Sequence, residues 1–215
     1  DEYCDGLEQD VYVLDPLNHS GVDANYLAYF DPLSGLDPDD RNFATFCKRI
    51  AASLVKIPDH GGESGEWAKR AVRYIALVIM HVMTSDRIAE DQRTLRHVLR
   101  LVVQGEAETR KHIIRKIVAE QKRAKAEDRE YGHKITDVPD AVRILFDFMA
   151  DNQACRGHIA EEARNLIRTS ENAPTYFESV RGEAADQLDW LKDHGIEISL
   201  TTSLISRTEP KTPKP

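Results

Sequence analysis

The stretch Ser64 to Thr84, SGEWAKRAVRYIALVIMHVMT, constrains this chain more than any other. Ser64 suits a helix cap, and Glu66 places negative charge in the first turn. Trp67, Ala71, Val72, Ile75, Ala76 and Ile79 recur at helical spacing on one face. From Tyr74 to Met83 the apolar character spreads nearly all the way round. The pattern predicts a helix buried in the middle of a helical domain, with Trp67 on its buried face. On that reading Trp67→Ala costs about 3–5 kcal/mol, as large-to-small core changes do. A transmembrane reading is weaker: the unbroken apolar run is Ile75 to Met80, and a span needs about 20 such residues.

The rest of the chain reads as helices around this one. Asp37-Pro38 is a helix start, a cap followed by a proline, with the helix running to Ile57. Phe43, Phe46, Cys47, Ile50, Leu54 and Val55 form its buried side. A third helix is expected from Gln92 to Gln104, stopped by Gly105. A fourth runs from Ala107 to Arg129. It buries Ile113, Ile114, Ile117 and Val118 in its first half, and its second half is polar all round. Pro139 suits the first turn of the next helix, with Val142, Leu145, Phe146 and Met149 inside. A segment to Thr169 carries Ile159, Ala163, Leu166 and Ile167. Pro174 opens the last helix, which Gly195 ends. Val11 to Leu14 and Ile196 to Leu200 are β-prone. The fold class is therefore mainly α, a bundle of about six or seven helices with short terminal β segments. Residues 1–36 form an N-terminal strand and loop, residues 37–195 the all-α domain, and residues 196–215 a strand-like segment and a Pro- and Lys-rich tail expected to be disordered.

Chemistry-bearing motifs are sparse. There is no GxxxxGK[ST] and no GxGxxG. The glycine-rich run Gly61 to Gly65 precedes a helix but lacks a lysine, and Glu63 and Glu66 would repel phosphate. Arg143 to Asp147 imitates a Walker B run, yet its apolar spacing is helical. The eight histidines include no HExxH pair. Cys155 and His158 lie three apart with no second pair, and His81 reads as a satisfied core histidine. No GxSxG elbow or Cys-His signature is present. The 37 acidic residues leave an acid–base carboxylate pair open without singling one out. No cofactor or metal site is expected. Cys4, Cys47 and Cys155 are few and scattered, which points to a reducing compartment.

The net charge of −8 argues against nucleic acid as the partner of the whole surface. It suits attraction of basic segments instead. Two surfaces remain as candidates. One is the loop with Tyr26, Tyr29 and Phe30, flanked by Asp23 and Asp31, which either packs onto the helices or offers an apolar contact with a charged rim. The other is the basic helix with Arg115, Lys122 and Arg123, whose interleaved acids suit a solvated face with i, i+4 pairs; a nucleic-acid or partner contact is the second reading. The chain starts at a charged residue without Met, which suggests a fragment of a larger protein.

The order of segments resembles the region between the two nucleotide motifs of type IV secretion coupling ATPases, the conjugative coupling proteins of the HerA/FtsK motor superfamily. The matching pieces are VYVLDP (residues 11–16), FDPLSGL (30–36), Ala51 to Val55, EWAKRAVRYIALVI (66–79), Thr94-Leu95 with Val98, and AADQLDWLKDHGIEISLTTS (184–203). Asp31 stands where the family commonly has Asn, and Walker A, Walker B and the membrane anchor are not in this sequence. The resemblance implies an all-α domain inserted in a RecA-like motor, on the cytoplasmic side of the bacterial inner membrane. It implies a hexameric, membrane-anchored parent with ATPase activity, and a fragment that is monomeric and not itself an enzyme. The implied role is recognition of secreted effector proteins through their signals, or of relaxase complexes with possible DNA in the full-length protein. A nucleic-acid-contacting part of a DNA translocation motor and an unrelated helical enzyme are the alternatives.

Overall fold

The structure, a computed structural model, describes residues 32–57 and 63–192. Among them are seven α-helices: α1 (Phe43–Leu54), α2 (Glu63–Thr84), α3 (Leu95–Gln104), α4 (Ala107–Ala126), α5 (Ala141–Asp151), α6 (His158–Asn172) and α7 (Pro174–Gln187). Short 3₁₀ turns fall at Glu90–Gln92, Ile135–Asp137, Cys155–Gly157 and Asp189–Lys192, and no strand occurs among the described residues. The chain is mainly helical, as the periodicity predicts. The two β-prone runs, at 11–14 and 196–200, lie outside the described residues.

Helix α2 is the centre. It packs against α1, α3, α6 and α7, and every residue from Tyr74 to Met83 is buried. That is why its sequence is apolar all round: no side of the helix meets water there. Edge-to-face aromatic packing joins α2 to α5 and α7. Tyr74, Phe146 and Phe177 have ring centroids 6.3, 6.2 and 5.3 Å apart, with planes between 77° and 84°. This geometry sets positive ring edges against negative faces.

Several boundaries differ from the sequence reading for local reasons. Helix α1 begins at Phe43 instead of Asp37, because Asp37 and Asp40 accept the backbone N–H groups of Asp39 and Asn42. Such side-chain bonds hold the chain in turns and compete with the helix ladder. Ser64 lies inside the first turn of α2 rather than at its cap. The residues before α3 form a 3₁₀ turn, so that helix starts at Leu95 behind a Thr94 cap whose hydroxyl accepts from His97 N. Pro139 stands just before α5. Asp140 caps that helix, its carboxylate accepting from Val142 N and Arg143 N, both at 2.9 Å.

Three burial expectations are corrected. Phe46, expected on the buried side of α1, is exposed. Ile113, Ile114, Ile117 and Val118 are half-buried, not core, and in α4 only Ala124 is buried. Helix α4 rests mainly on α5 and the turn at Ile135–Asp137, so among the described residues no second layer closes over its apolar stripe. Trp67 is also only half-buried. It lies near the start of α2, where its ring meets Tyr176 at 5.2 Å and the Arg70 guanidinium sits 5.1 Å from its centroid. Trp67→Ala is therefore expected to lower stability by about 1–2 kcal/mol, the scale of one aromatic pair plus a surface cation–π contact. Urea denaturation checks this: a loss above about 3 kcal/mol would return Trp67 to the core.

Candidate functional site

The three residues of the aromatic loop, Tyr26, Tyr29 and Phe30, lie outside the described residues, as do Gly61 and Gly62 of the glycine-rich run. The three basic candidates are all on α4 and all exposed. Arg115 and Lys122 are seven residues apart, two helical turns, and so share a face; Arg123 is turned away from them. Arg123 Nη1 is 2.8 Å from Glu120 Oε1. Lys111 pairs with Glu108 at 2.7 Å, and Arg129 with Glu127 at 2.6 Å. The close helical pairs on α4 are spaced i, i+3 rather than i, i+4. Such exposed pairs contribute about 0.2–1 kcal/mol each. Helix α4 is a solvated, charge-interleaved rod on which Arg115 and Lys122 have no ion pair among the described residues.

The buried titratable groups are held neutral. Burial pushes the Cys47 thiol up to about 12, with the nearby Cys155 adding to the effect; Cys155 is itself raised by burial. A thiol held protonated is a poor nucleophile. Burial also raises the Tyr74 hydroxyl, which has no hydrogen-bond partner among the described residues. His81 is 1% exposed, and desolvation, helped by His97 and Arg87, lowers it to about 4. Its Nδ1 faces the Asn152 amide nitrogen at 3.3 Å, and that amide also donates to Thr84 Oγ1 at 2.9 Å. His81 is thus a packed, polar-partnered core residue, as its place on α2 predicts. Among the described residues no group of three or more His, Cys, Asp or Glu side chains could hold a metal ion.

The Walker B-like run lies on α5, where Arg143 Nε donates to Asp147 Oδ1 at 3.0 Å across one helical turn. Arg143 also pairs with Glu171 and so links α5 to α6. No helix among the described residues is long and apolar enough to cross a membrane.

Two of the surface grooves that packing creates have no local motif to announce them. One, of about 580 Å³, is floored by Phe146 and Phe177 between α5 and α7. Its arginines are committed: Arg143 to Asp147 and Glu171, and Arg181 to Glu178 at 2.7 Å and the Val103 carbonyl at 3.3 Å. The other, of about 480 Å³, lies between α1, α2 and α6. Its floor is Val72, Leu77 and Met80, with Lys48, Lys69, Arg73 and Glu162 around it. A groove with an apolar floor and charged rim suits recognition of a side-chain-bearing segment more than covalent chemistry.

The chain matches no protein-family model, and no curated protein or solved structure matches it.

Proposed function

We propose that this chain is a substrate-recognition domain of a type IV secretion coupling protein. It binds effector secretion signals or relaxase complexes and delivers them to the secretion channel. The observation that carries this reading is a helical bundle whose outer surface holds open grooves with apolar floors and charged rims, while its buried Cys, Tyr and His side chains are neutral. The order of sequence segments supplies the family. The parent motor carries the ATPase chemistry in this reading, and the domain itself is expected neither to bind nor to hydrolyse ATP. The aromatic loop with Tyr26, Tyr29 and Phe30 belongs to the proposed contact surface.

The test is a calorimetric titration of the purified protein with secreted substrates of the same secretion system. Saturable binding in the micromolar range, about −8 kcal/mol, is the expected result, since a signal must be released for transport. A Tyr26→Ala, Tyr29→Ala double variant that stays folded is expected to bind more weakly. Absence of binding to every substrate by a folded protein refutes the recruitment role.

Arg115 and Lys122, exposed together on α4, favour a second reading as a nucleic-acid contact in a translocation motor. A salt titration separates the two. DNA binding whose logarithm falls steeply with the logarithm of salt, and which Arg115→Ala with Lys122→Ala weakens, supports the second reading.

A further inference from the structure

We propose that the groove between α1, α2 and α6 docks an acidic, amphipathic helical segment of a partner protein. This rests on the recruitment reading and names the chemistry of the signal. The charge pattern carries it. The whole chain has a net charge of −8, yet this groove gathers Lys48, Lys69 and Arg73 against one lining carboxylate among the described residues, Glu162. Lys69 is already paired with Glu66 at 2.8 Å. Lys48 and Arg73 are exposed and make no ion pair among the described residues. The groove is therefore a basic patch on a chain of net negative charge, and it attracts an acidic segment.

Shape selects a rod. The lining residues of α2 (Lys69, Val72, Arg73, Leu77 and Met80) recur at three- and four-residue intervals along one stripe. From position 69 to position 80 that stripe runs about 16 Å at 1.5 Å per residue, three turns of a helix lying alongside. Leu77 and Met80 are 4% and 1% exposed, whereas Ile57 at the rim is 43% exposed. The floor is thus recessed and the wall stands out. A recessed floor receives apolar side chains spaced i, i+3, i+4 and i+7 on a partner helix, while Lys48 and Arg73 meet its flanking carboxylates. The thioether of Met80 adapts to side chains of different shape. A flat anionic bilayer does not reach a recessed floor. The groove's described lining holds no Phe, Tyr or Trp, the broad rings on which nucleobases usually stack; its one ring there is His158.

The experiment uses fluorescence anisotropy with two labelled peptides of about 15 residues, long enough for marginal helix formation. Both carry leucines at i, i+3, i+4 and i+7; one has glutamates at the flanking positions and the other lysines. The acidic peptide is expected to bind at least about tenfold more tightly, and to weaken as salt rises from about 50 to about 300 mM. A Lys48→Glu, Arg73→Glu variant, altered only at exposed positions and checked by circular dichroism, is expected to lose at least about tenfold in affinity for it. Equal or tighter binding of the basic peptide overturns the proposal, and so does undiminished binding by the variant. Vesicles of anionic phospholipid form a third arm. Retention on vesicles without binding to the acidic peptide assigns the patch to lipid and overturns it too. Full-length substrates keep the two readings apart. If they bind the charge-reversed variant as they bind the native protein, this groove is not their site, and the recruitment role stands on another surface.

Discussion

Gly105→Ala is expected to destabilise the bundle by at least about 3 kcal/mol, the combined scale of a strained backbone and an overpacked contact. Gly105 joins α3 to α4 with φ 58° and ψ −148°, a region open in practice only to glycine. Its N–H closes α3 by donating to the Leu101 carbonyl, and the next N–H, of Glu106, donates to the Ala141 carbonyl at 2.8 Å. The turn therefore lies against the first residue of α5. A Cβ added at Gly105 would sit 2.6 Å from both the carbonyl carbon and oxygen of Ala141, and 2.8 Å from Val142 N. These are backbone atoms and cannot rotate away. To admit the methyl group, α5 must shift, and with it Phe146, whose ring packs edge-to-face with both Tyr74 and Phe177. Gly182→Ala is the control. An added Cβ there meets nothing within 4 Å, and its place inside α7 predicts a gain of up to about 1 kcal/mol from helix propensity. Urea denaturation of both variants checks the pair. A Gly105→Ala protein that unfolds at the native midpoint would show that α5 does not press on this turn.

How much of this was legible in the sequence differs from element to element. Helix α2 was legible almost entirely, because burial on all sides leaves a signature that few other environments produce. Helix α5 was legible through the spacing of Leu145, Phe146 and Met149, although Asp140, not Pro139, turned out to govern its start. The start of α1 was not legible, because Asp37-Pro38 fits both a capped helix and the turns that form; only the side-chain bonds of Asp37 and Asp40 decide between them. The apolar stripe of α4 marked a face correctly, but a sequence does not say whether another layer covers that face. Trp67 shows the same limit on a buried helix: its spacing placed it on the inner side, but the buried stripe there is Gly65, Ala68 and Ala71, and Trp67 lies at its edge. Exposure of Arg115, Lys122 and Arg123 followed from their interleaved charges. The groove between α1, α2 and α6 had no local signal, since Lys48, Arg73 and Glu162 come from separate helices. Only packing gives them a common floor.

Acid is expected to unfold this protein before its carboxylates titrate fully, and His81 is the principal cause. Its ordinary value of 6.5 falls to about 4 in the fold, chiefly because burial penalises the charged ring. His97, whose charge adds to that depression, is likewise lowered to about 4 by burial and by Arg100. Both groups are depressed, so the unfolded chain binds more protons than the folded one between these values. Stability is then fully present above about pH 6.5 and drains away as pH falls towards 4. For His81 alone the drop corresponds to on the order of 3 kcal/mol; the partly exposed His97 adds less. Geometry reinforces the sign. The Asn152 amide nitrogen lies 3.3 Å from His81 Nδ1, so a proton on that nitrogen would face a donor in place of an acceptor. The carboxylates of Glu66 and Glu108, held below 4.5 by Lys69 and Lys111, act lower on the scale and leave the window to the histidines. Urea midpoints measured from about pH 7.5 down to about pH 4.5 should therefore fall steadily. In His81→Gln, a polar side chain without a proton to gain, the slope should flatten whatever the variant's stability at neutral pH. A slope as steep in His81→Gln as in the native protein would move the acid sensitivity away from the centre of α2.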